Sequence, residues 1–346
     1  MITSRSTSHT RAVAHRTTAR RRLRGPSPMS DLPLALWPCA QQTSQSQRRG
    51  RFLPESNRHP AKMLPEIARR VVAAYSSPGD LVLDPMCGIG TTLTEAIHLD
   101  RRAIGVELEE RWASLAAQNV KQARTHGATG RARVVEGDAR RLGRGVLNSL
   151  AGTVPLILTS PPYADAMLGD PRGGAGMARG CAGEGRRVSD AQQAYAAKVA
   201  HHCHYGDSPG SIARLRYGTT TEAPTPCAGN GESYLSAMTA VYSACARMLA
   251  PGGYLVLVTK NMRAGGTMRN IAGDTITLCE QIGLAFDQHI VALLAVVRDG
   301  ELYPRPSYYQ MTNVRRALKR GERAHLVCHE DVLVFKASQA TGRRPK

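Results

Sequence analysis

Apolar positions along this chain fall into two periods. Leu64, Ile67, Ala68, Val71, Val72 and Tyr75 recur at the 3.6-residue spacing of a helix, which Ser76-Ser77-Pro78-Gly79-Asp80 brings to an end. A short buried strand follows, LVLD (81–84), then a turn from Pro85 to Gly90 and a helix from Thr91 to Leu99. AIGVE (103–107) reads as a second strand and Glu110 to Ala123 as a helix; ARVVEGD (132–138) and VPLILT (154–159) read as the third and fourth strands. Helical spacing returns in Leu235, Met238, Val241, Tyr242, Cys245 and Leu249. PGG (251–253) then turns into the strand YLVLVTK (254–260), and a helix covers about 271–282. HIVALLAVV (289–297) and DVLVF (331–335) read as the last two strands. Strands alternating with helices predict an α/β fold with a mostly parallel sheet and helices on both faces.

The pattern breaks over residues 164–231, which hold 12 glycines in 68 positions and little periodicity, and read as an irregular insertion. The first 28 residues carry seven arginines and no acid. They lack the apolar core of a secretory signal and read as part of a basic, disordered arm over 1–54 that buries nothing. Met29, where ordinary-looking sequence begins, reads as the true start, with 1–28 a gene-model extension. Residues 339–346 form a short basic tail.

Composition narrows the partner. The formal net charge is +19, and without the first 28 residues 39 basic still face 27 acidic side chains. That excess points to a polyanion, most often nucleic acid. Hydrophobic residues make up 42% of the chain, but no apolar run approaches the length of a membrane helix. Eight cysteines form no C-x-x-C and no framework, as in a reduced, cytoplasmic protein. Arginine outnumbers lysine 39 to 7, a hint of a GC-rich bacterial genome.

Candidate chemistry lies at the strand ends. Asp84-Pro85-Met86-Cys87-Gly88-Ile89-Gly90-Thr91-Thr92 follows a strand and opens a helix, where glycines let the backbone approach a ligand. It matches neither the dinucleotide fingerprint nor a P-loop. Glu107 ends the second strand, where a carboxylate can accept from two ribose hydroxyls. Asp138 ends the third and can accept from an adenine amino group. One acid at a strand end is usually only solvated; three at successive strand ends around a glycine turn are a site. The fourth strand ends in Thr159-Ser160-Pro161-Pro162-Tyr163, a stiff loop that presents a hydroxyl and a ring. His201-His202-Cys203-His204 matches no zinc spacing, so no metal is expected.

In this order, D-P-M-C-G-I-G-T-T, G-V-E, E-G-D and T-S-P-P-Y resemble the S-adenosylmethionine-dependent DNA amino-methyltransferases, and S-P-P-Y resembles their N4-cytosine branch. H-P-A-K (59–62) resembles the segment that closes over the methionine end of the cofactor, and H-E-D-V-L-V-F (329–335) the last strand. The resemblance implies a class I methyltransferase (Rossmann-like) fold of seven strands, the last antiparallel, over a catalytic domain at 55–338. It implies that Asp84, Pro85, Gly88 and Gly90 line the methionine part of the cofactor, with Thr91 and Thr92 at the helix start. His59 and Lys62 would sit by its carboxylate, Glu107 would hold the ribose and Asp138 the adenine.

The S-P-P-Y loop then has a task. An exocyclic amine is a poor nucleophile because its lone pair is conjugated into the ring. Ser160 and the Pro161 carbonyl can each accept one N–H and aim the nitrogen in line at the sulfonium methyl, with Pro161 and Pro162 fixing the geometry in advance. Tyr163 can stack on a flipped base. No cysteine stands in this loop, so transfer is direct, without a covalent enzyme–base intermediate, and Cys87 reads as a packing residue.

The expected function is therefore methylation of an exocyclic amine in DNA, cytosine N4 first, in a bacterial, nucleoid-associated protein of restriction–modification type. The alternatives are an RNA base-amine methyltransferase, such as one acting on tRNA guanine N2, and an inactive nucleic-acid-binding homologue. The stretch 205–218, which mixes Tyr and Arg, is the candidate for target recognition. Residues 260–263 and 305–309 are further candidates for contact with the strand or base, or plain surface loops.

Overall fold

The computed structural model describes residues 32–59, 61–163, 210–215, 217, 233–264, 267–306 and 308–339. Pro60, most of the 164–231 insertion with His201-His202-Cys203-His204, residues 1–31 of the arm and residues 340–346 of the tail lie outside the described residues. The chain divides into two units, 1–34 and 35–346; all elements below belong to the second.

Eight strands form the main sheet: β1 (Leu36–Pro38), β2 (Leu81–Asp84), β3 (Arg102–Glu107), β4 (Arg131–Glu136), β5 (Val154–Thr159), β6 (Leu249–Thr259), β9 (Ala285–Leu293) and β12 (His329–Lys336). The spatial order is β1-β9-β12-β6-β5-β2-β3-β4. β12 runs antiparallel to both its neighbours, and the other pairs are parallel. This bears out the class I methyltransferase fold and the antiparallel last strand, but with eight strands in place of seven. The added strand, β1, comes from within the expected arm and pairs with the outer edge of β9.

Helices cover both faces. On one lie α1 (Ser44–Arg48), α2 (Pro65–Tyr75), α3 (Thr91–His98) and α4 (Glu110–Thr125). The last three bury Ile67, Val71, Leu93, Ile97, Ala116 and Val120 against Val82, Leu156, Val256 and Val334. On the other, α5 (Tyr234–Met248) and α6 (Ile271–Gln281) bury Met238, Val241, Tyr242 and Cys279 against Leu83, Ile157, Leu257 and Phe335. Burial on both faces explains why the central strands are near-continuous apolar runs.

Several elements depart from the expectation. PGG (251–253) does not precede the fifth strand but lies within β6, where Gly252 at φ 73° accompanies a register shift against β5. HIVALLAVV is not one strand: β9 stops at Leu293, and β10 (Ala295–Arg298) turns into β11 (Glu301–Pro304) as a separate hairpin. A second hairpin, β7 (Met262–Ala264) with β8 (Thr267–Arg269), follows β6. Tyr308–Lys319, read partly as surface loop, is a helix, α7.

Candidate active site

The turn after β2 is built around two left-handed glycines, Gly88 at φ 53° and Gly90 at φ 79°. At Gly88 the cost of a side chain is also steric: a Cβ would stand 3.3 Å from His59 Nε2. At Gly90 it would stand 3.2 Å from the Ala116 Cβ, so this glycine lets α3 and α4 approach. The Cys87 N–H donates to the Val106 carbonyl at 2.9 Å and pins the turn to β3. Cys87 is buried, and a Cβ on Gly105 would meet its sulfur at 2.7 Å, which makes it a packing residue.

Two carboxyls meet at this turn. Asp84 is buried beside Pro85, and its Oδ1 accepts from the Met86 N–H at 3.1 Å. Burial raises its pKa to about 6, against the opposing pull of the Thr92 and Thr159 hydroxyls, which lie close by without hydrogen-bond geometry, and of the Met86 amide. Glu107 accepts from the Gly88 N–H at 2.8 Å and the Glu109 N–H at 3.0 Å. Burial again dominates and takes its pKa to about 7, with Glu109 and Asp84 adding to the rise and the two amides opposing it. Thr91 and Thr92 are buried in the first turn of α3.

The segment before α2 folds onto the same turn. His59 is buried against Gly88, with its ring edge-on to Trp112 at 4.6 Å. Burial, helped by the nearby Lys62 charge, holds its pKa down to about 3, so the ring is neutral at any working pH. Lys62 Nζ donates to the His59 carbonyl and, at 3.4 Å, to that of Asn57. Asn119 of α4 joins the parts: its side-chain amide donates to the Ile89 carbonyl and the Ser56 hydroxyl at 2.9 Å and accepts from the Leu53 N–H. The sequence carries no signal for Asn119, Trp112 or Ser56 beyond their residue type, because their roles exist only across helices.

Asp138 caps a short 3-10 turn (Ala139–Arg141) just past β4, and Arg140 takes up both its oxygens, the closest contact being 2.7 Å. Burial raises this carboxyl, but the Arg140 bonds and charge outweigh it and leave the pKa low. Arg140 also donates to the Gly210 carbonyl at 2.9 Å and so ties the described end of the insertion to this corner.

Ser160, Pro161, Pro162 and Tyr163 leave β5 at the same edge, with Pro161 buried and the other three half-buried. The Tyr163 phenol is pushed well above its ordinary range by burial and by the nearby Glu330, Tyr234 and Asp331. Beside it Lys260 Nζ faces Glu330 Oε1 at 3.7 Å across β6 and β12. Glu330 Oε2 is buried with no hydrogen-bond partner among the described residues, and burial raises the Glu330 pKa. The sequence marks H-E-D only as the start of the last strand; strand pairing shows that its glutamate faces Lys260 beside the S-P-P-Y loop.

The structure thus gathers His59, Asp84, Pro85, Gly88, Gly90, Thr91, Thr92 and Glu107 around one turn. Asp138 and the S-P-P-Y loop flank it on adjacent strands. Lys62 braces its own segment. Within 205–218, Ile212, Ala213 and Leu215 are buried core residues, and the Tyr217 hydroxyl donates to Asp274, so this described part anchors the insertion. Asn261 accepts from the Ala272 N–H at 2.9 Å, in the first turn of α6, which Asn270 caps. No helix among the described residues is long and apolar enough to cross a membrane.

Residues 5–118 match the family model described as DNA methylase. The type II methyltransferase M.SmaI of Serratia marcescens is 47% identical over 58 residues, 17% of this chain and 20% of that protein. The DNA adenine methyltransferase YhdJ of Escherichia coli is 33% identical over 83 residues, 24% of this chain and 28% of that protein. The tRNA (guanine(10)-N2)-dimethyltransferase of Methanocaldococcus jannaschii is 36% identical over 107 residues, 30% of each chain. This chain spans less than a third of the length of these relatives. The matches bear out the resemblance to the DNA amino-methyltransferases and support S-adenosylmethionine as cofactor.

Proposed function

We propose that this chain transfers a methyl group from S-adenosylmethionine to an exocyclic amine of a DNA base, cytosine N4 in the first place. The observation that carries this reading is the alignment of four chemical groups along one edge of adjacent strands: the S-P-P-Y loop after β5, the glycine turn after β2, Glu107 at the end of β3 and Asp138 just past β4. Ligands of open α/β sheets bind at that edge.

The residues fit the cofactor by their donors and acceptors. Glu107 Oε1 and Oε2 can take the two ribose hydroxyls in place of the Gly88 and Glu109 amides they now accept from. Asp138 can take the adenine amino group while its other oxygen stays on Arg140. The unpaired N–H groups at the start of α3 suit a carboxylate. Neutral His59, packed against Gly88, puts an uncharged ring where the methionine end would lie. The bound cofactor supplies an electrophilic methyl group on its sulfonium.

On the acceptor side the Ser160 hydroxyl and the Pro161 carbonyl orient the amine, and Tyr163 stacks on the base. Tyr163→Ala is expected to lower kcat about 100-fold or more with S-adenosylmethionine affinity within twofold, as measured by single-turnover transfer and calorimetry. Equal losses in both would remove Tyr163 from the base site.

A second reading is methylation of an RNA base amine, favoured by the 107-residue match to the tRNA enzyme. Deuterated-methyl S-adenosylmethionine offered with unmethylated genomic DNA, tRNA and ribosomal RNA separates the two. Labelled N4-methylcytosine in the DNA digest supports the first reading. Label in N6-methyladenine corrects the base, and label in RNA alone overturns DNA as substrate. No label in any digest would sink both.

A further inference from the structure

We infer that the excursion between β9 and β12 is a second nucleic-acid-binding element, which grips the phosphate backbone of duplex DNA beside the reacting base. The inference rests on the nucleic-acid reading above and adds the surface that holds the substrate.

The excursion leaves the sheet after Leu293 and returns at His329, both on the edge that carries the S-P-P-Y loop. Its base is closed: the Leu294 N–H donates to the Cys328 carbonyl at 2.7 Å, and the Arg305 N–H to the Leu294 carbonyl at 2.8 Å. From that base rises the β10–β11 hairpin, followed by α7. Its tip is the two-residue turn Asp299-Gly300, with both residues at positive φ (51° and 79°), the geometry that matches strand twist and makes a defined hairpin.

The basic excess of this element lies on its helical half, since Asp299 and Glu301 flank Arg298 at the hairpin tip. Residues 294–328 hold seven Arg and Lys against three acids. Arg298, Arg315, Arg316, Lys319, Arg320 and Arg323 are exposed. At about 100° per residue Arg315, Lys319 and Arg316 fall on one arc of α7, away from the buried Ala317, and Arg320 follows directly after the helix. Glu322 pairs with Arg320 at 2.6 Å and leaves Arg315, Arg316 and Lys319 without an acid on their arc. The hairpin tip adds exposed Val297, Leu302 and Tyr303, apolar area suited to the sugar wall of a groove. A solvated helix face of ordinary composition would intersperse acids with these cations; α7 has none.

The test uses the full chain, an unmethylated duplex DNA, a structured RNA and salt titrations. Each neutralised phosphate contact contributes a slope of about 0.9 in log K against log salt. The triple variant R315Q/R316Q/K319Q is expected to flatten that slope on duplex DNA by about 2 to 3 and to weaken binding at low salt more than tenfold. Binding of S-adenosylhomocysteine should not change. If the triple variant loses cofactor binding as well, the three single variants replace it, each expected to flatten the slope by about 1. An unchanged DNA slope, a loss confined to RNA, or a wild-type chain that does not bind duplex DNA overturns the proposal. Its failure is distinct from failure of the methyl-transfer reading, because label transfer to DNA with an unchanged slope sinks the surface and keeps the activity.

Discussion

At the scale of single residues, the site is dominated by carboxyls that burial makes reluctant to ionise. Glu107, with a pKa near 7, is partly protonated at neutral pH. In the proposed complex the ribose hydroxyls would donate to the charged form, so the cofactor would prefer the ionised carboxylate and binding would release a proton. The sign follows: affinity should rise as pH rises towards 7 and level off above it. Between pH 6 and 8 the expected gain is about tenfold, and Glu107→Gln should abolish the slope; calorimetry in buffers of different ionisation enthalpy checks both. In the empty protein the same raised pKa works the other way. Stability contributed by the protonated carboxyl is present at low pH and is lost as pH rises through about 7. Gly88 shows why its residue type matters. Gly88→Ala puts a Cβ at 3.3 Å from His59 in a left-handed backbone, and the cost is about 1–3 kcal/mol, read as a lower Tm with weakened cofactor binding.

Elements are held in register here by a few buried polar groups. Asn119 ties α4 to the glycine turn and to the 53–56 segment through hydrogen bonds of 2.9 Å. Asn119→Ala leaves a carbonyl, an N–H and a hydroxyl without partners. Chemical unfolding should show a loss of about 2–3 kcal/mol, with cofactor affinity falling because His59 is no longer held against Gly88. Legibility at this scale depended on length. α2, α4 and α5 have enough turns for their period to show. β1 has three residues and α1 five, too few for any period, so a paired strand and a packed helix read as arm. The β10–β11 hairpin did carry a signal, Asp299-Gly300 between β-branched and aromatic residues, masked because VALLAVV reads as one continuous strand.

For the molecule as a whole, the boundary matters most. The segment 35–54 is integral: β1 completes the sheet edge, Phe52 is buried beside Ile89 and Trp112, and buried Arg48 donates to the Met63 carbonyl at 2.6 Å. A chain that starts at Ala35 should therefore unfold cooperatively, whereas one that starts at Glu55 should lose about 3 kcal/mol or more, judged from Phe52 alone with its neighbours. Equal Tm values for the two would show that β1 and α1 are dispensable.

The sequence by itself determined which strands and helices alternate, that both sheet faces are covered, and which acids, glycines and prolines stand at strand ends. Those features are local: they depend on periodicity, on φ > 0 tolerance and on the missing N–H of proline. Tertiary structure alone decided what those groups meet. It placed β1 on β9 across more than 250 residues, set His59 against Gly88, brought Gly210 to Arg140 and turned Glu330 towards Lys260. Each of these pairings joins residues whose separation in the chain carries no period, or whose choice among several partners is made by the order of strands in the sheet.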